Sequence, residues 1–176
     1  MKNLFVSMLL FLSTTGGYVH RLSDVRAPVV SDGAYIGLEK MPSLTPEDPA
    51  TAWFHENTLV IRNGEAILDK VPITMRHGSK TYQAADGGFL TYRARFIVKD
   101  GVNVVQLRLI DSMYIIFRRD QHDQYSQIET YPVTFTAGSI EFEGVRYRPT
   151  VLKKVALDRL VHLLNTEPLD KANAER

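Results

Sequence analysis

The sequence contains no cysteine. Thiol catalysis, thiolate metal sites and a disulfide framework are thereby excluded, and so is a lipid anchor of the kind attached at a cysteine. An excess of charge of either sign is also missing: 21 Lys and Arg stand against 20 Asp and Glu. Chains that bind nucleic acid show a basic excess gathered on one face. Here the basic residues fall in pairs, Arg118-Arg119 and Lys153-Lys154, the pattern of solvated element ends, so no nucleic-acid partner is expected. No apolar run approaches the roughly 20 residues of a membrane-spanning helix. A Gly-x-Ser-x-Gly elbow, a phosphate loop and a dinucleotide fingerprint are all missing, and no cofactor is expected.

What is present begins with an export signal. Lys2 supplies a positive start, residues 4–12 are apolar apart from Ser7, and Ser13-Thr14-Thr15-Gly16-Gly17 supplies small residues for cleavage after Thr15 or Gly17. The expected division is a signal peptide at 1–17, an N-terminal arm at 18–32, a β domain at 33–149, a helix at 150–165 and a polar tail at 166–176. Small exported domains often lean on disulfides. This one must rely on packing, and a mature chain of about 155–160 residues can bury roughly 70% of its unfolded surface.

The centre of the pattern is a pair of alternating strands at 89–98 and 102–110, joined by Lys99-Asp100-Gly101. Leu90, Tyr92, Ala94, Phe96 and Val98 make one apolar face, and Arg93 and Arg95 belong to the other. One face buried and one face wet is what an antiparallel sheet usually presents. Asn63-Gly64 is the strongest hairpin signal, since a type I′ turn needs positive φ at both central residues. Strands are expected at 34–39, 58–62 and 66–71, with Pro72 ending the last or marking an edge. Thr45-Pro46-Glu47-Asp48 reads as a short helical start, with Trp53 and Phe54 plugging an end of the core. Met113-Tyr114-Ile115-Ile116-Phe117 does not alternate, which fits a segment covered on both faces. Further strands follow over 125–136, 139–143 and 145–148.

From Thr150 the period changes to that of a helix. Leu152, Val155, Ala156, Leu160, Val161 and Leu164 form a stripe opposite Lys154, Asp158, His162 and Asn165, so this helix should dock on the sheet. The fold expected is mostly β: an antiparallel up-and-down meander of about eight to nine strands, barrel-like or a two-layer sandwich, with one amphipathic C-terminal helix packed on it. The outline is similar to that of lipocalin-type barrels. Their first strand carries Gly-x-Trp where this chain has Gly33-Ala34-Tyr35, and three residues establish no kinship.

Candidate functional residues fall in two sets. Tyr82, Tyr92 and Arg93 would orient a ligand if their strands face a cavity; the plainer reading is core packing with hydroxyls at the rim. His122 with Asp120 and Asp123 is a chemically adequate metal set, but a solvated loop tip suits the same residues better. His55 beside Glu56 reads as a surface pair. The function expected is that of an exported, non-enzymatic binding module that holds a small apolar ligand or serves as an envelope scaffold. A protein-interaction role, such as a periplasmic enzyme inhibitor or immunity protein, is the alternative. The partner would then be a small apolar molecule or a protein.

Overall fold

Two-residue turns set the architecture. Strand β2 (Thr51–Arg62) turns back as β3 (Glu65–Arg76) through Asn63-Gly64, whose φ angles of 53° and 78° are the left-handed pair of a type I′ turn. The register then holds without a slip from Arg62↔Glu65 to Thr51↔Arg76. Residues 30–42, 48, 50–83, 89–112, 127–167 and 169 are described in this computed structural model. The segments expected to be a signal peptide, most of the arm, the helical start at Thr45, the run at Met113, the loop with Asp120, His122 and Asp123, and most of the tail lie outside those residues.

The remaining strands are β1 (Gly33–Lys40), β4 (Ser79–Tyr82), β5 (Leu90–Lys99), β6 (Val102–Ser112), β7 (Ile128–Pro132), β8 (Thr134–Thr136), β9 (Ser139–Phe142) and β10 (Val145–Thr150). All pairings are antiparallel, in the order β7-β6-β5-β3-β2-β1-β10-β9-β8, with β4 added on β3. The expected meander is therefore present, and the sheet curls into a nearly closed barrel. Its two end strands, β7 and β8, are consecutive in the chain. Only Val133 separates them, and its N–H bonds the Asn103 carbonyl at 2.9 Å.

Alternation sorts each strand into an inner and an outer face. Tyr35, Leu59, Ile61, Leu68, Phe96, Leu107, Phe142 and Tyr147 belong to one continuous inner core. Within it Tyr147 stacks on Phe142 with ring centroids 4.6 Å apart. The helix α1 (Lys154–Thr166) covers part of the outer wall, where Leu160 and Leu164 meet Val60 and Ile67.

Several expectations need correction. Trp53 and Phe54 are half-buried residues of strand β2, opposite Thr74 and Ile73, with Trp53 on the inward series of His55, Asn57 and Leu59. Pro72 neither ends β3 nor marks an edge. It sits opposite His55, where the outer neighbour of β3 changes from β5 to β4. Its carbonyl accepts from Gln83 on the β4 side at 3.1 Å. A residue's N–H and C=O leave a strand on the same side, so the missing N–H falls at that change of partner and costs the β2–β3 ladder nothing. The helix begins at Lys154 rather than Thr150, because Thr150 still pairs with Ala34 as the last residue of β10.

The outer wall under the helix is not wet. Asp69, Thr91, Arg93 and Arg108 are all buried there. Arg93 binds Glu65 at 2.8 Å and donates to the Ala66 carbonyl at 2.9 Å and to the Glu167 carbonyl, just past the helix, at 2.7 Å. Arg159 of the helix pairs with Asp69, which also accepts from Thr91 Oγ1 at 2.7 Å. These polar ties hold the middle and the C-terminal end of the helix to the sheet. Its first turn carries no such tie among these contacts, and Val155, expected in the buried stripe, is 82% exposed.

Candidate functional site

The lower inner core is apolar, but the same inward positions become polar toward the other end of the strands. In β2 the inward series Ile61, Leu59 continues as Asn57 and His55; in β3, Leu68 is followed by Lys70; in β1, Tyr35 by Gly37 and Glu39. Lys70 is the hub. Its ammonium lies 3.2 Å from Glu39 Oε2 and 3.1 Å from Glu143 Oε2, and 5.7 Å from the ring centre of Tyr92. Asn57 is fully buried and donates from Nδ2 to Glu39 Oε2 at 3.2 Å and to the Tyr147 hydroxyl at 3.3 Å. His55 Nδ1 stands 3.7 Å from the same Glu39 oxygen.

This environment tunes its members. His55, Lys70 and Asn57 around Glu39 hold its carboxyl down to about 2 against the opposing effect of burial. Burial pushes the Tyr147 hydroxyl up, with Glu143 and Glu39 nearby adding to it. Tyr131 is raised too, by burial and by its bond to Glu129. A carboxyl depressed in the folded state stabilises the fold fully above its unfolded value of 4.5 and loses that effect as pH falls toward about 2. Melting temperature should therefore drop more steeply from pH 5 to pH 2 in the native chain than in Glu39→Gln. The difference is on the order of 1–2 kcal/mol, reduced from the full linkage by the solvent on the exposed side of Glu39. Parallel slopes for the two proteins would contradict this assignment.

Gly37 makes room for the cluster. A Cβ there would lie 2.6 Å from Val145 Cγ1 and 3.2 Å from the Arg146 carbonyl oxygen. The missing side chain lets β10 approach β1, and the Tyr147 hydroxyl thereby reaches Asn57.

On the outer side of the same strands, next to the wall the helix covers, lies an open groove of about 620 Å³. Ile36, Leu38, Ile73 and Met75 supply apolar lining, and Glu56, Lys80, Arg146 and Arg148 the charged part. Leu38 is 48% exposed, so this apolar surface is reachable. Lys80 closes on Glu56, which also accepts from the Tyr82 hydroxyl at 2.8 Å. Arg146 pairs with Glu141 at 3.0 Å.

The structure does not bring Tyr82, Tyr92 and Arg93 together. Tyr82 is exposed beside the groove, Tyr92 faces inward near Lys70, and Arg93 points the opposite way beneath the helix. Asp120, His122 and Asp123 lie outside the described residues. Among the described residues no group of three His, Asp or Glu side chains is placed to hold a metal ion. His55 is not the expected surface partner of Glu56: neighbours on a strand face opposite ways, and His55 is buried beside Glu39. Sequence reading passed over Lys70, Asn57, Glu39 and the groove residues. The available signal was polar residues continuing an inward apolar series, as Asn57 and His55 do after Ile61 and Leu59.

Among the described residues no helix is long and apolar enough to cross a membrane. Compared with known proteins, the chain matches no family model, no curated protein and no solved structure.

Proposed function

We propose that this chain is an exported binding module that carries a small, largely apolar molecule. The groove beside Leu38 supports this reading. Small-molecule sites take roughly 300–1,000 Å³ and are lined mainly by apolar groups with a few polar ones, and a groove of about 620 Å³ floored by Ile36, Leu38, Ile73 and Met75 fits that description. The inner core is built from buried aromatic and branched side chains of the barrel itself, which favours the outer wall over the barrel interior as the carrying surface. Export is supported by Lys2 and the apolar stretch 4–12.

A second reading, the protein-interaction role, is favoured by Val151 and Val155, which are 97% and 82% exposed at the start of the helix. Native mass spectrometry of the protein from its own cell envelope separates the two. A mature chain beginning at Gly16 or Tyr18 with an added mass of a few hundred daltons is the expected result. A co-purifying protein would favour the second reading. In parallel, a neutral hydrophobic dye should bind the native protein and bind Leu38→Glu at least several-fold more weakly. Leu38 is half exposed, so this change leaves the core intact, and unchanged dye binding would remove the groove from consideration.

A further inference from the structure

We propose that the molecule carried in the groove is a single-chain amphiphile with a carboxylate head, and that Arg148 receives that head. The inference rests on the groove reading above and adds the ligand's chemistry. Of the four charged residues lining the groove, three are cationic and only Glu56 is anionic. Glu56 is already committed to Lys80 and to the Tyr82 hydroxyl. Arg146 is committed to Glu141. Arg148 is exposed and has no acidic partner among the described residues. It also sits directly across from Ile36 at the β1–β10 pairing, with Ile36 itself part of the apolar lining.

The arrangement is therefore an apolar strip that runs up to an uncommitted guanidinium. A guanidinium is a planar fork whose two parallel N–H donors match a carboxylate. An alkyl chain would lie along Leu38, Ile36 and Met75, and its head would meet Arg148. A membrane surface suits this face less well. It would meet Glu56 and Glu141 together with the arginines, whereas the head of a single molecule can be placed on Arg148, which has no acidic partner among the described residues.

The test titrates the full mature protein with decanoate and with 1-decanol, which share a tail and differ in the head. Decanoate is expected to bind about 3- to 10-fold more tightly at low salt, the size of a partly exposed charge-assisted contact, and the preference should shrink as salt rises. Arg148→Gln should abolish the preference and leave decanol binding unchanged. Arg146→Gln should reduce it less, because Arg146 is shared with Glu141. Both positions are exposed, so neither variant threatens the fold. Equal affinities of the native protein for acid and alcohol would overturn the head assignment and leave the apolar groove standing. A preference that survives Arg148→Gln would place the head elsewhere and likewise overturn it. Tighter binding to anionic phospholipid vesicles than to decanoate would replace the single molecule with a membrane. Failure of both ligands to bind would bring down the groove reading itself.

Discussion

Lys70→Met is expected to cost the fold about 2–4 kcal/mol in urea unfolding. The Lys70 side chain is 7% exposed and holds Glu39 and Glu143 at 3.2 and 3.1 Å. Methionine matches its stem, so packing is nearly preserved and the loss is electrostatic. Removing one member of a buried pair costs roughly 3–5 kcal/mol, because the other charge is left without compensation. Here two carboxylates are stranded, but Glu39 keeps 32% of its side-chain surface in water, which lowers the figure. The carboxyl of Glu39 should also titrate higher in this variant, since Lys70 is among the groups that hold it down. Adding Glu39→Gln and Glu143→Gln to Lys70→Met should restore much of the stability, because no buried charge is then unpaired. A loss below about 1 kcal/mol for Lys70→Met alone would mean that water, not Lys70, neutralises the cluster.

The second large effect concerns the helix. Leu160→Ala should destabilise the fold by about 2–5 kcal/mol, the range for a buried leucine cut back to its Cβ. Leu160 is 2% exposed and packs with Val60 and Ile67, which are themselves sealed from solvent. The same change at Val155 should stay within about 0.5 kcal/mol, although both residues lie on the apolar stripe visible in the sequence. Thermal denaturation of the two variants reads the contrast directly. At roughly 2–4 °C per kcal/mol for a domain of this size, Leu160→Ala should melt on the order of 5–15 °C lower. Equal shifts would mean that the helix docks by its whole stripe rather than by its second half.

These two sites show how far local pattern reaches. The hairpins at Asn63-Gly64 and Asp100-Gly101 were legible because a two-residue turn with positive φ is a property of adjacent residues. The meander followed from period-two alternation between such turns, and the helix from the change of period after Thr150. Sequence neighbours carry all of that information. Pro72 was misread for the same reason. A local rule makes proline a strand breaker, but the cost depends on which neighbouring strand its nitrogen faces, and that is decided by the arrival of β4.

The candidate site was legible only in part. Tyr82 and Tyr92 were picked out as residues of interest and lie near the groove and the inner cluster respectively, but on different walls. Lys70 meets Glu143 across 73 residues of sequence, and Arg159 meets Asp69 across 90. Arg93 and Arg95 alternate like residues of a wet face. Arg93 is nevertheless buried, because the helix returns over it and the Glu167 carbonyl accepts its Nε–H. The chain's order of residues thus settled the β content, the turns, the strand sequence and the presence of one amphipathic helix, all set by backbone preferences and short-range periodicity. The closing of the sheet through β1 and β10, the gathering of charges around Lys70, the groove beside Leu38 and the choice of helix face were decided by tertiary structure. Each depends on registers between strands far apart in the chain, and long-range packing alone sets those registers.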